Sequence, residues 1–292
     1  MSTEPKERAV RPPVLPDAPK SIRKGVPLKN MINRKMVECL AQNIRFAYND
    51  FQADTFCERA LSGLEALELM QRAKHIAGAL HTFLPGPYSD AVTILVASLT
   101  PAQTDTEAAG LSGFFYLPHS FFISEYGWDA GFNAGEDPFE PSMEALYELT
   151  TRFTSEFAIR PFLIHHQQRT VSRVTDWLDD PNPHVRRLCS EGTRPKLPWG
   201  IRIPALIADP RPTLPILEAL KDDASLYVRR SVANHLGDIA KDHPDTAFST
   251  CERWLQEGAS NDLRWVIRHA VRHPAKKGNT RALEIRAAAK AE

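Results

Sequence analysis

From Asn30 onward the apolar residues recur at the spacing of helix faces. Met31, Met36, Val37, Leu40 and Ile44 form one run, Phe56, Leu61, Leu64, Leu67 and Leu69 a second, and Ile76, Leu80 and Phe83 a third. Pro85-Gly86-Pro87 stops the pattern and Ser89 to Ser98 resumes it. Thr100 to Pro141 holds Gly110, Gly113 and Pro118 among Phe114, Phe115, Tyr116, Phe121 and Phe122, which is too apolar for a linker and predicts short helices and loops packed on the body. Ser142 is placed to cap a helix starting at Met143. Ser155 to Phe162 leads into another helix, with Pro161 in its first turn. Strand-like alternation is scarce, and proline joints such as Pro181-Asn182-Pro183 and Pro210-Arg211-Pro212 separate the segments, so the fold class is all-α.

An internal repeat narrows this to a HEAT-like helical-repeat solenoid. Asp179-Asp180 followed by Val185-Arg186-Arg187 returns as Asp222-Asp223 followed by Val228-Arg229-Arg230, at a constant offset of 43 residues. A third, degenerate unit runs from Trp254 to His273, at an offset of either 35 or 38. In such units a helix pair buries its apolar faces only by stacking on its neighbours. The expected organisation is a flexible, proline-rich basic arm over residues 1–28, a solenoid over 29–275 and a C-terminal helical tail over 276–292.

On the helix from Leu226 to Lys241, Val228, Val232, Leu236 and Ile239 share one stripe, while Arg230, Asn234 and Lys241 share another. Arg187 and Arg194 hold the matching stripe one repeat earlier, and Arg268 and Arg272 one repeat later. Stacked on the inner side of a solenoid, these arginines would line a concave basic groove suited to a phosphate backbone. The competing reading pairs them with Asp179, Asp180, Asp222 and Asp223 as salt bridges between repeats.

Charge changes the picture through its distribution. The 292 residues have a formal net charge of zero, yet residues 1–36 carry nine basic and three acidic side chains, 37–160 six and seventeen, and 161–292 twenty-one and sixteen. A phosphate partner would therefore meet the basic flanks. Cys39, Cys57, Cys189 and Cys251 stand far apart with no C-x-x-C spacing, which implies neither a zinc cluster nor a disulfide framework. No run of 18 apolar residues occurs and the N-terminus lacks an apolar export core, so a cytoplasmic protein without membrane contact is expected.

Three stretches carry a family resemblance: Ser155 to Phe162, Ser190 to Trp199, and Tyr227 to Leu236 with Asp238 to Lys241. Over roughly residues 28–275 the chain resembles the AlkC-type DNA alkylation repair glycosylases, bacterial HEAT-like enzymes related to AlkD. The resemblance implies hydrolysis of the N-glycosidic bond of cationic alkylated bases such as 3-methyladenine, 3-methylcytosine and 1-methyladenine in duplex DNA. It implies no metal, no cofactor, no lyase step and no obligate protein partner, with a monomer expected. Some members carry a C-terminal immunoglobulin-like domain, and this sequence reads as the short form that ends before one.

Because the base leaves neutral, the chemistry needs little acid catalysis. It needs a carboxylate to stabilise the oxocarbenium-like sugar and to orient water. By match to the family's carboxylates the candidates are Glu156 and Glu125, with Asp129 as the equivalent of the latter if the aromatic stretch shifts. Residues assigned to DNA contact are Arg160, Arg187, Arg194, Arg229, Arg230, Asn234, His235, Lys241 and Arg268. Trp128 and Tyr126 are candidates for stacking on a base, whereas Trp199, between Pro198 and an apolar run, reads as core. His165-His166 and His269/His273 lack the carboxylate-flanked H-E-x-x-H pattern of a metal site. A noncatalytic HEAT scaffold that binds DNA or a protein is the reading from another class, and the surroundings of the two glutamates discriminate between them.

Overall fold

The computed structural model describes residues 12–106 and 110–290, and among them there is helix and no strand. The chain divides into two compact units, Met1–Phe153 and Thr154–Glu292. Among the described residues no helix is long and apolar enough to cross a membrane.

The first unit holds α1 (Arg34–Ala47), α2 (Ala53–Leu61), α3 (Leu69–Phe83), α4 (Tyr88–Ala97), α5 (Leu117–Tyr126) and α6 (Phe139–Thr150). The apolar stripes do what their spacing predicts: Met36, Val37, Leu40, Ile44, Phe56, Ile76 and Leu80 are all buried. The start of α6 differs from expectation. Ser142 does not cap it but lies inside its first turn, fully buried, with its hydroxyl 2.7 Å from the Gly127 carbonyl and 2.8 Å from both Tyr88 Oη and the Pro138 carbonyl. A Cβ on residue 127 would lie 2.4 Å from Tyr88 Oη and 2.5 Å from Ser142 Oγ, so only glycine admits this junction.

Residues 1–11 of the expected arm lie outside the described residues, whereas its remaining part is docked. Val14 exchanges two hydrogen bonds with Asn43 on α1, at 3.1 and 2.8 Å, and the Pro19 carbonyl accepts from Leu111 N at 3.2 Å. The proline pattern signalled missing helix, not missing attachment.

The second unit holds α7 (Arg160–His165), α8 (Gln167–Asp176), α9 (Pro183–Gly192), α10 (Pro204–Ala208), α11 (Leu214–Leu220), α12 (Leu226–Asp242), α13 (Pro244–Gln256), α14 (Asn261–Ala270), α15 (Arg272–Lys276) and α16 (Thr280–Ala288). Helix α12 packs against α9 on one side and α14 on the other, with α11 and α13 also against it, and α16 closes on α13 and α14. The helix starts settle the third repeat at an offset of 35: Val228, Val232 and Leu236 of α12 correspond to Leu263, Ile267 and Val271, all buried.

The repeat also carries a latch. Arg186, Arg229 and Arg264 hold equivalent positions, and each guanidinium donates back to carbonyls five or six residues earlier: Asp180 and Pro181, Asp223 and Ala224, and Ala259. The same side chains reach the following unit, Arg186 gripping Asp223 bidentately at 2.6 and 3.0 Å, Arg229 meeting Asp262 at 3.0 Å and Arg264 donating to the Ala288 carbonyl at 3.1 Å. Arg186, Arg229 and Arg264 are thus joints between repeats.

Asp223 is nearly buried, so its removal strands the Arg186 charge. Asp223→Ala is expected to lower the unfolding free energy by about 3 kcal/mol in urea titrations. Arg211→Ala, which breaks the exposed pair with Asp209, is expected to leave the urea midpoint unchanged.

Candidate active site

Glu156 opens the turn before α7, and Thr154 sets its geometry. Thr154 Oγ1 accepts from the Glu156 backbone N–H at 3.2 Å and donates to Glu156 Oε2 at 2.8 Å. Arg187 of α9 completes the clamp, with Nη1 2.5 Å from the same Oε2 and 2.9 Å from Thr154 Oγ1. Both contacts of the carboxylate fall on Oε2, and among the described residues Oε1 accepts no hydrogen bond.

From Arg187 a chain of alternating charge runs into the stack. Arg187 Nη2 is 3.5 Å from Glu191 Oε1, Glu191 Oε1 is 2.5 Å from Arg194 Nη1, and Arg194 holds Asp238 Oδ2 through Nε at 2.8 Å and Nη2 at 2.7 Å. Lys241 ends it, 2.7 Å from Asp238 Oδ1. Ser231 Oγ donates to Glu191 Oε2 at 2.5 Å, and the Tyr227 ring lies 5.1 Å beneath the Arg187 guanidinium. Burial works against the charge on Glu191, but Arg187 and Arg194 outweigh it and hold its carboxyl below the ordinary range. Burial likewise opposes the Arg187 charge, and Glu156, Tyr227 and Glu191 overcome it, so its pKa rises.

Four of the residues assigned to DNA contact lie inside the protein. Arg160, Arg194, Arg229 and His235 are all buried. Arg160 donates to the carbonyls of Gly192 (3.1 Å), Arg194 (2.8 Å), Pro195 (3.3 Å) and Ile201; Arg194 serves the ion chain; Arg229 is a latch. His235 Nδ1 donates to the Ser190 carbonyl at 2.9 Å. Helix α12, which carries Arg229 and His235, is covered by α9, α11, α13 and α14.

Arg230 and Lys241 remain exposed on α12. Asn234 is half-buried, its Oδ1 accepting from Arg272 Nη2 at 3.0 Å and His269 Nε2 at 3.2 Å, and Arg268 Nη1 donates to the Ala289 carbonyl at 2.6 Å. Positive charge concentrates here. Burial, with Arg272, Arg230 and His273, pushes His269 down to about 4, and burial, with Arg272, Lys241, Lys276 and Lys277, lowers His273.

In the first unit Glu125, near the end of α5, pairs with Lys74 of α3 at 2.9 Å, both side chains substantially exposed. Tyr126 stacks on His81 with centroids 4.0 Å apart and meets Phe132 edge-on at 5.0 Å. Trp128 is half-buried, and Asp129 caps the short turn after it by accepting from Gly131 N at 2.8 Å. Trp199, expected in the core, is 74% exposed. Sequence reasoning passed over Glu191, Asp238 and Tyr227. The spacing of Arg187, Glu191 and Arg194, at i, i+4 and i+7, was the available signal for the first of them. Among the described residues no three His, Cys, Asp or Glu side chains converge as metal ligands would.

The buried histidines make stability depend on pH. His235 is held down to about 4 by burial, as His269 is by burial and its cationic neighbours, against an ordinary 6.5. The unfolded chain takes up protons that the folded one refuses, so this stability is complete above about 6.5 and is lost as pH falls toward 4. Urea titrations between pH 7 and 4.5 are expected to show falling stability. His235→Gln should remove roughly 2–3 kcal/mol of that slope.

No family model matches the chain. It is 39% identical over 262 residues to the uncharacterized protein YhaZ of Bacillus subtilis (strain 168), spanning 88% of this chain and 67% of that protein. Among solved structures it matches the Pseudomonas fluorescens alkylpurine DNA glycosylase AlkC bound to DNA containing an abasic site analog, with a TM-score of 0.77 and 40% identity, covering 89% of this chain and 68% of that one. Identity at this level across nearly the whole chain, on the same all-helical repeat architecture, decides the family: the chain belongs to the AlkC group of alkylpurine DNA glycosylases.

Proposed function

We propose that the protein is a monofunctional DNA glycosylase that hydrolyses the N-glycosidic bond of cationic alkylated bases, 3-methyladenine, 3-methylcytosine and 1-methyladenine, in duplex DNA. The observation that carries this is Glu156. Its carboxylate is fixed through Oε2 by Thr154 and Arg187 while, among the described residues, Oε1 accepts no hydrogen bond. A carboxylate immobilised in this way matches a reaction whose transition state places positive charge on the sugar. Oε1 would face that charge or orient the attacking water, and no reorganisation is required as the charge develops. The base departs as a neutral leaving group and needs no strong acid.

Glu125 is the proposed second carboxylate. Its pair with Lys74 is exposed and weak, so it can exchange that partner for water or substrate at little cost. Tyr126 and Trp128, in the same segment, are proposed to shield the base. Duplex DNA is the partner, with Arg230, Lys241, Arg268 and Asn234 supplying backbone contacts and the buried arginines holding the helices that present them.

In a single-turnover excision assay on duplexes containing 3-methyladenine or 3-methylcytosine, Glu156→Gln is expected to release base at least about 100-fold more slowly than wild type. Undiminished release by the variant would remove Glu156 from the mechanism. Wild-type binding with no release from any methylated duplex would make the protein a DNA-binding scaffold instead. Arg230→Ala is expected to weaken binding to every duplex and to reduce the slope of log K against log salt by about 0.9; an unchanged slope would take Arg230 off the phosphate backbone.

A further inference from the structure

The loop between α9 and α10 is built with more care than a connection requires. It turns on itself through Gly200 N to the Leu197 carbonyl at 3.2 Å and Ile203 N to the Pro195 carbonyl at 3.2 Å. Beneath it lies Arg160, fully buried, whose guanidinium bonds the carbonyls of Gly192, Arg194, Pro195 and Ile201. A Cβ at residue 200 would meet Arg160 Cδ and Nε at 3.2 Å, so the backbone there rests directly on the guanidinium. Burial, and then the neighbouring Arg194, lower the Arg160 pKa to about 10: a charge is kept out of water to fix the shape of a surface loop.

What this brace displays is one indole. Trp199 is 74% exposed and its backbone has φ +63°, the left-handed region that a bulky residue rarely occupies. Such strain persists only where the surroundings over-determine it, and it collects at ligand clamps. Exposure of a single tryptophan alone would need no explanation. Exposure combined with backbone strain and a buried cationic brace does need one, because packing does not provide it.

The surroundings indicate the partner. From Gly192 to Ala208 the chain has no acidic residue but carries Arg194, Lys196 and Arg202. Lys196 is tied to Asp242 at 2.6 Å, and Arg202 is exposed with no partner among the described residues. Ile201 beside it is also 52% exposed. An aromatic tip flanked by a free guanidinium is complementary to a polyanion whose interior is a stack of π faces.

We propose that Trp199 stacks on or between bases of duplex DNA at a distorted step, with Arg202 on the adjoining phosphate and Arg160 as the residue that positions the loop. This rests on the proposed DNA-directed function. It adds a contact that neither the ion chain nor the cationic face of α12 provides. The loop is also joined to the Glu156 carboxylate, since Arg194 belongs both to the loop and to the ion chain that begins at Glu156.

The test uses a short duplex with an abasic-site analogue and 2-aminopurine beside it. Wild type is expected to bind and to raise the 2-aminopurine emission as the neighbouring base unstacks. Trp199→Ala should bind roughly 10-fold more weakly, lose the emission change and keep the wild-type salt slope, and Trp199→Phe should restore most of both. Trp199→Gly should raise the thermal midpoint by a few degrees while binding as poorly as Trp199→Ala, because glycine accepts the left-handed backbone. Wild-type binding matched by Trp199→Ala, or binding by wild type without the emission change, overturns the stacking role and leaves the glycosylase reading intact. A lower midpoint in Trp199→Gly shows that the indole is packed and overturns it likewise. Failure of wild type to bind the duplex at all overturns the DNA-directed reading and this one with it.

Discussion

The Arg187 guanidinium is the interaction on which the second unit's chemistry depends. It faces Glu156 on one side, Glu191 on the other and the Tyr227 ring below, so three segments distant in sequence converge on a single planar cation. The partners on both flanks are needed because a buried arginine without them would be severely unfavourable. Glu191 in turn requires Arg194, and Arg194 requires Asp238. The chain closes only when α9 and α12 pack in their observed register. Registry, more than raw stability, is what such a row supplies: a one-turn slip would take Asp238 from Arg194 and Ser231 from Glu191.

The same row explains how a molecule of zero net charge can offer phosphate-binding positions. Glu156, Arg187, Glu191, Arg194, Asp238 and Lys241 alternate in sign, so most of the basic residues in that motif are neutralised internally. The positive field outside comes from different residues. Burial first, and then Arg230, Arg272, Lys241, Lys276 and Lys277, lower the pKa values of His269 and His273. At the second repeat the two arginines in tandem part, Arg229 held by Asp262 and Arg230 exposed, whereas at the first both Arg186 and Arg187 hold carboxylates.

That division also marks where sequence reasoning reached its limit. The 43-residue period and the buried stripe of Val228, Val232 and Leu236 were legible because each depends on spacing alone. Which arginine of each pair would face inward was not, since adjacent helical residues differ by about 100° and only the position of the next repeat decides which is covered. Arg229, assigned to DNA contact, is a latch. Trp199 failed for another reason: an apolar residue after Leu197-Pro198 scores as core, and nothing in apolar patterning encodes a left-handed turn. Glu156 was legible through its motif, while its clamp was not, because Thr154 and Arg187 are 33 residues apart. Glu125 stands with its neighbours in a stretch of aromatic loops and short helices, where no period exists to align it.

Arg160 ties these features together. It is the first residue of α7, one turn beyond Glu156, so the turn that aims the carboxylate and the guanidinium that braces the 193–201 loop belong to the same few residues. A shift of α7 would move both at once. Strain at Trp199 can therefore be carried by the frame that already holds Glu156 in place, and the protein needs no separate device for each. On the proposed chemistry this matters because a carboxylate acts on a sugar only when the duplex is held in a fixed position relative to it. A contact joined to the carboxylate's own turn would achieve that directly. Lysines bind phosphate without regard to sequence, whereas a braced indole would mark a particular step.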